Sequence, residues 1–398
     1  MARFIPIILA GGKGERFWPV SRLKRPKQFL RLDGGSRSLL QSTADRLLPV
    51  ASWDSLFVIT ASHIADGVSA QLPEIPSENI LVEPQGRDTA PAVAWATLEV
   101  VKRYGEEVIC GFFPADHYIA DPQRYCDTLR AAADLAKDVG AIATLSIQPS
   151  FPSTGYGYIE QGAKVGTFSS GSVSDLPAYK VNRFTEKPNQ ETAQSFIESG
   201  LYSWNSGIFI FPAAIMLAEL DAHAPEMMAA LKQNGVSAYA NLEKLCIDYA
   251  VMEKTDRAYV MPADFGWDDL GDWNAIERLL KSKAQNESAK NDSSNSLYQK
   301  ENGQKENGQK QDGQKQDGQE DDPKEDGNVE LCQHIGLDTQ GSILYSADDD
   351  ELIVTIGLED VVVVRDGNAT LIVKKDRTQD IKQVVKEISQ QERFKRLL

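Results

Sequence analysis

Up to Ile147 the chain alternates short, almost wholly apolar runs with segments whose apolar residues recur at helical spacing. The runs are FIPIILA from Phe4, Leu56 to Thr60, Ile80 to Glu83, Val108 to Asp116 and Ala141 to Ile147. Between them stand SLLQSTADRLL and APAVAWATLEVVKRYG, whose period is that of an amphipathic helix. Such alternation predicts βα units on a mostly parallel sheet, and hence an α/β fold. Further on, YKVNRFTEKP and SWNSGIFIFP read as strand-like, with a helix expected from Gln190 to Ser199 and a helix-rich insert reaching Lys254. The sheet domain is expected to occupy residues 1–280.

Residues 281–328 break this pattern. From Gln299 to Gly318 the blocks QKENG, QKENG, QKQDG and QKQDG follow one another. A tract of Gln, Lys, Asp and Gly buries too little apolar area to offset the entropy of ordering, so it reads as a disordered linker, with an interaction tail as the functional alternative. Residues 329–398 return to short strands, GSILYSA, ELIVTIG and DVVVVRDGNATLIVKK, in which Asp366-Gly367-Asn368 predicts a hairpin turn. A terminal helix is expected from Asp380 to about Arg393. The reading is a small β-rich second domain.

Charge and composition exclude several classes. The 398 residues carry a formal net charge of −16, which opposes general binding to nucleic acid. No apolar run approaches the roughly eighteen residues of a membrane-spanning helix, and no signal-like segment opens the chain, so a cytoplasmic protein without a membrane partner is expected. Cys110, Cys126, Cys246 and Cys332 are scattered with no C-x-x-C pair, which suits reduced, packing thiols.

Against that acidic background, LAGGKGERFWPVSRLKRPKQFL, residues 9–30, concentrates Gly11, Gly12 and Gly14 with Lys13, Arg16, Arg22, Lys24, Arg25 and Lys27. It is neither a P-loop, lacking G-x-x-x-x-G-K-[ST], nor a dinucleotide fingerprint, since Phe17 stands where the third glycine should be. Glycines after a strand let backbone N–H groups approach phosphate oxygens, and Arg16 and Lys27 can neutralise their charge. A βα turn with a solvated basic face is the other reading. Asp116, in Pro114-Ala115-Asp116-His117, follows an apolar strand at the end where open α/β sheets bind ligands, as a metal ligand or a helix cap. A second acidic candidate lies in GWDDLGDW, residues 266–273, and two distant aspartates suit a hard cation that also binds phosphate. His117 has no second histidine at ligand spacing and reads as structural. In Glu186-Lys187-Pro188 the proline holds the chain extended and helps aim the lysine. Tyr156-Gly157-Tyr158 and Trp204-Asn205-Ser206-Gly207 suit turns or a sugar site.

In order, these stretches together with EPQGRDTAPA, residues 83–92, resemble the successive motifs of mannose-1-phosphate guanylyltransferases, within the sugar-nucleotide pyrophosphorylase superfamily. The resemblance is dense from Phe4 to Leu280 and looser in the tail. It implies a Rossmann-like nucleotidyltransferase domain with a mixed, mostly parallel sheet, followed by a left-handed β-helix-like domain. The implied substrates are GTP and mannose 1-phosphate, and the implied cofactor is Mg²⁺. By matching positions, Gly11, Gly12 and Gly14 line the nucleotide, Arg16 and Lys27 serve its phosphates as catalytic groups, and Glu83, Arg87, Asp88 and Thr89 lie near guanine and ribose. Asp116 and Asp269 hold the metal. Gly157, Glu186 and Asn205 face mannose, and Lys187 its phosphate. The repetitive tract departs from the family pattern. No segment resembles the cupin-like domain of longer bifunctional relatives, so phosphomannose isomerase activity is not expected.

In-line attack by a sugar-phosphate oxygen on the α-phosphorus needs positioning and charge shielding rather than a covalent nucleophile or general base. A pyrophosphorylase for another sugar and nucleotide, and a non-catalytic regulatory subunit of the same fold, are the alternatives. A homodimer is one assembly that this reading admits.

Overall fold

FIPIILA forms strand β1 (Phe4–Ala10) in the computed structural model, which describes residues 3–32, 34–285 and 326–398. The strand is apolar along its length because both faces are covered. Ile5 and Ile7 join one core with Phe57, Ile59, Val93 and Phe112. Ile8 and Ala10 join another with Leu40, Val58, Phe113 and Leu129. Each such buried side chain contributes on the order of 1.5–3 kcal/mol. Strands β2 (Phe57–Ala61), β3 (Ile80–Glu83) and β4 (Ile109–Pro114) run parallel to β1 in the order β3-β2-β1-β4. Of helices α1 (Leu39–Leu47), α2 (Ala65–Gln71), α3 (Thr89–Tyr104) and α4 (Pro122–Val139), α3 packs into the first core and the other three into the second. Covered faces of this kind are what near-continuous apolar strands require.

The short strand β5 (Tyr118–Ile119) precedes β6 (Ile142–Ile147), β7 (Tyr158–Ser170), β8 (Val173–Thr185), β9 (Tyr202–Pro212) and β10 (Ala258–Pro262). The sheet continues from β4 as β9-β6-β10-β8-β7, with β8 and β9 running against the other strands, which gives the expected mixed, mostly parallel sheet. Helix α5 (Gln190–Ser199) has the expected bounds: Asn189 Oδ1 accepts from Thr192 N at its start, and Gly200 closes it with φ of 66°. Helices α6 (Ala213–His223) and α7 (Pro225–Asn234) form the insert, followed by a π-helical turn at Asp248–Met252. Of the β7–β8 hairpin the sequence reading has only the end of β8, in YKVNRFTEKP; β7 lies beyond it, with Tyr158 read as part of a turn. Repeated register shifts along the pair break the alternation that marks a strand.

Among the described residues, a second compact unit gathers those of 14–22, 32–35, 270–285 and 326–398. Its strands are β12 (Val329–Leu331), β13 (Gln333–Leu337), β14 (Ile343–Ser346), β15 (Leu352–Ile356), β16 (Val361–Asp366) and β17 (Ala369–Lys374), the label β11 going to Trp267–Asp268 of the first unit. Parallel ladders β12-β14-β16 and β13-β15 stack successive coils in a β-helix-like manner. The expected hairpin is present, Asp366 facing Ala369 across a turn in which Gly367 has φ of 56°. Helix α8 covers residues 273–285, and α9 (Ile381–Gln390) buries Ile381 and Val385. Residues 270–280 and 14–22, which the sequence division places before the linker, group with this unit through aromatic packing. Trp273 lies with its ring 5.3 Å from Phe17 and 5.1 Å from Tyr345, and Trp18 Nε1 donates to the Leu397 carbonyl at 2.9 Å. Of the tract expected to be disordered, residues 286–325 lie outside the described residues, and 281–285 are helical.

Candidate active site

In the first unit, the carboxyl ends of β1, β3 and β4 carry Gly11 and Gly12, Glu83, and Asp116 respectively. Asp116 stands just beyond β4. The antiparallel pairing of β5 with β11 (Trp267 opposite Ile119, Asp268 opposite Tyr118) brings the chain after β11, and with it Asp269, to the same place. Lys27 opens a 3-10 turn (Lys27–Phe29) after Pro26, and it is only 5% exposed. Its ammonium donates to Asp116 Oδ2 at 2.8 Å and to the Asp269 carbonyl at 2.6 Å. The Tyr156 hydroxyl donates to Asp269 Oδ1 at 2.6 Å. Burial works to raise the Asp116 pKa, but the Lys27 charge, the hydrogen bond from Lys27 and the other groups around it together outweigh that and hold the carboxyl below its ordinary value. His117 keeps the structural role read from the sequence. Trp267 Nε1 donates to its Nδ1 at 3.1 Å, and burial pushes its pKa down to about 4, so the ring is a neutral acceptor.

The Asp116 and Asp269 side chains are hard oxygen donors, and Lys27 joins the Asp116 carboxylate to the Asp269 backbone; hard oxygen is the chemistry a divalent cation such as Mg²⁺ selects when phosphate and water complete its shell. Among the described residues no group of three or more His, Cys, Asp or Glu side chains forms a metal cage. Carboxylate oxygens such as those of Asp116 and Asp269 suit an ion that a phosphate ligand also holds.

A cavity of about 330 Å³ opens beside this point, lined in part by Gly11, Gly12, Glu83, Asp88 and Thr89. A Cβ on Gly11 would come within 3.8 Å of Glu83 Oε2, and one on Gly12 would project into open space. Glu83 is 6% exposed with Oε1 unpartnered, and burial raises its carboxyl to about pKa 7. An unpartnered buried acceptor at a cavity wall is a site for a ligand donor. Asp88 is held at φ of 71°, and its Oδ1 accepts from Thr89 N at 2.8 Å at the start of α3. Arg87 turns away from the cavity: its guanidinium donates to the carbonyls of Tyr239 and Ala240, each at 2.9 Å.

The predicted sugar residues also meet. Asn205 N donates to the Gly157 carbonyl at 2.8 Å, and a Cβ on Gly157 would lie 2.6 Å from Glu186 Oε2, so a side chain there would push the Glu186 carboxylate aside. Lys187, at φ of 47°, donates to Glu186 Oε1. Burial alone would lower the lysine's pKa, but the Glu186 carboxylate raises it above its ordinary value. Strained backbone at both Asp88 and Lys187 is typical of ligand-contacting positions. Gly14 and Arg16 belong to the second unit, where Arg16 Nη1 donates to the Gly271 carbonyl at 3.4 Å.

Sequence reasoning missed Asp248. It is 8% exposed, accepts from Asn205 Nδ2 at 3.3 Å and from Cys246 Sγ at 2.7 Å, and burial raises it to about pKa 6. The available signal was a lone acid in the stretch Ile247-Asp248-Tyr249-Ala250-Val251-Met252.

Comparison with known proteins also finds two parts, with the first running through residues 14–22 and 270–286. The family model described as nucleotidyl transferase matches residues 5–286, and one described as MannoseP isomerase/GMP-like beta-helix domain matches residues 332–388. "Mannose-1-phosphate guanylyltransferase 2" of Escherichia coli O157:H7 is 34% identical over 98% of this chain and 75% of its own. "Xanthan biosynthesis protein XanB" of Xanthomonas campestris pv. campestris strain B100 is 36% identical over 98% of this chain and 74% of its own. A crystal structure from Thermus thermophilus, described as a mannose-1-phosphate geranyltransferase, superposes with a TM-score of 0.76 at 31% identity, covering 97% of this chain and 99% of that one.

Proposed function

The chain belongs to the nucleotidyl transferase family, and from that premise we propose that it transfers GMP from GTP to mannose 1-phosphate, yielding GDP-mannose and pyrophosphate. The observation that carries the reading is the buried Lys27 ammonium held between the Asp116 carboxylate and the Asp269 carbonyl at the carboxyl end of the sheet. A phosphate oxygen of the sugar attacks the α-phosphorus, and the bond to the β-phosphate's bridging oxygen breaks. That nucleophile is already ionised at neutral pH, so no side chain has to remove a proton from it.

Nucleotidyltransferases of this family generally use a divalent metal, which supplies positive charge to the triphosphate; we assign Mg²⁺ to Asp116 and Asp269. Lys27 stabilises the charge that develops on the departing pyrophosphate, in a position fixed before substrate arrives. Glu83 offers its unpartnered oxygen to the N–H donors of guanine, while Gly11, Gly12, Asp88 and Thr89 wall the nucleotide. Glu186 and Asn205 meet mannose hydroxyls across Gly157, and Lys187 meets the sugar's phosphate. Gly14 and Arg16 are assigned to the nucleotide on the motif alone, and Arg87 to holding the Tyr239 segment.

Among the described residues no helix is long and apolar enough to cross a membrane. A cytoplasmic location, where GTP and sugar phosphates are made, and a homodimer complete the proposal. The test is pyrophosphate release by purified protein. It is expected only when GTP, mannose 1-phosphate and Mg²⁺ are all present; release from GTP alone, or none at all, contradicts the reading.

A further inference from the structure

Residues Leu245 to Ile247 are strapped to the beginning of α3. Ala90 N donates to the Leu245 carbonyl at 2.9 Å, Leu245 N to the Arg87 carbonyl at 3.1 Å, and Ile247 N to Thr89 Oγ1 at 2.9 Å. Thr89 Oγ1 also donates to Cys246 Sγ at 3.4 Å. The strap ends in Asp248, buried and anchored through Oδ2 by the Cys246 thiol. Its other oxygen, Oδ1, takes the Asn205 amide N–H at 3.3 Å. The remaining side of that amide is settled as well, because Asn205 Oδ1 accepts from Gly207 N at 3.1 Å and from Thr144 Oγ1 at 3.2 Å.

We propose that Asp248 is a positioning residue for the sugar 1-phosphate: it locks the orientation of the Asn205 amide and ties that orientation to the nucleotide-cavity wall at Thr89. The inference rests on the functional reading above, which places Asn205 against the sugar. Burying a carboxylate is costly unless its partners hold it, and here Cys246 Sγ and Asn205 Nδ2 do so, one on each oxygen. Asp248 also faces Glu186 and Lys187, whose charges act on it in opposite senses, so the sugar end is built as one network. Without Asp248, Asn205 Nδ2 loses its acceptor, and only the two bonds to Oδ1 still hold the amide. The ground-state hold on the sugar then weakens, while the guanine contacts at Glu83 are untouched.

The test is a double-mutant cycle between Asp248→Ala and Asn205→Ala, with KM for mannose 1-phosphate, kcat and the Kd of GTP by direct titration each measured. Asp248→Ala is expected to raise KM for mannose 1-phosphate about tenfold, the loss of one charge-assisted hydrogen bond, with GTP Kd within about twofold of wild type. The double variant is expected to be no worse than Asn205→Ala alone. Asp248→Asn, whose side-chain oxygen can still accept from Asn205, is expected to recover most of the loss. If Asp248→Ala does not fold, the same cycle is run with Asp248→Ser, whose hydroxyl is too short to reach the amide. Additive losses, or a GTP Kd that rises as much as KM, overturn the inference alone. A wild-type protein that does not turn over mannose 1-phosphate overturns it together with the functional reading.

Discussion

The Lys27 ammonium and the Asp116 carboxylate lie 2.8 Å apart, the lysine side chain 7% exposed and the aspartate 35%. Each is the other's counter-charge before any substrate is bound. Lys27→Ala is expected to lower kcat by about a hundredfold or more, the range for removing a preorganised donor to a developing anion. It also leaves Asp116 without its partner. The Asp116 pKa is depressed in the folded protein, so its pairing stabilises the fold above the unfolded carboxyl pKa and is lost as pH falls through the folded value. The variant is therefore expected to unfold at lower denaturant than wild type at pH 7, with the gap narrowing in acid. An equal gap at both pH values contradicts the pairing.

Asp116→Asn and Asp269→Asn keep the side-chain shape and remove a charged oxygen ligand. Each is expected to cut turnover by at least about tenfold and to move half-maximal activity to higher Mg²⁺ concentration. Near-native turnover at limiting Mg²⁺ in either variant removes that residue from the metal site.

Glu83 titrates in the folded protein near pH 7, above its ordinary value, because it is buried. An acid whose folded pKa is raised favours the fold below the unfolded pKa, and that contribution disappears as pH rises through about 7. Glu83→Gln is therefore expected to gain stability over wild type between pH 5 and pH 8, by roughly 2–3 kcal/mol at the top of that range. The same substitution replaces an acceptor with a donor opposite guanine, and GTP Kd should rise about tenfold. Denaturant titrations of the two apo proteins across this range check the first point; parallel stability curves contradict it.

Lys187→Ala is expected to weaken mannose 1-phosphate far more than GTP. Removing the ammonium leaves Glu186 as an unneutralised acid at the sugar end, whereas the nucleotide cavity does not include Lys187. Direct titration decides. Equal losses for both substrates would place Lys187 in a shared phosphate site.

Much of the architecture was legible because burial on two faces writes itself into composition. β1 and β4 read as apolar runs since alternate residues enter separate cores, and α5 was bounded correctly because Asn189 and Gly200 mark its ends chemically. Beyond the end of β8 in YKVNRFTEKP, the β7–β8 hairpin was not legible, since its bulges erase the period of two. Nor was the grouping of residues 14–22 with the tail, which depends on Phe17, Trp273 and Tyr345 finding one another across the chain. Lys27 and Asp116 were legible as individual residues, and Asp269 was singled out from GWDDLGDW only by the resemblance of the ordered motifs. No local pattern states that a lysine will meet partners 89 and 242 positions away. Asp248 left almost no trace, because a single buried acid is interpretable only once its contacts with Asn205 and Cys246 are known.

The central claim is tested most directly by measuring pyrophosphate release over a grid of GTP, ATP, UTP and dTTP against mannose 1-phosphate and glucose 1-phosphate, with Mg²⁺ present. The account predicts the highest kcat/KM for GTP with mannose 1-phosphate, with GDP-mannose as the co-product. A higher kcat/KM for any other pair, or no release from any pair, contradicts it.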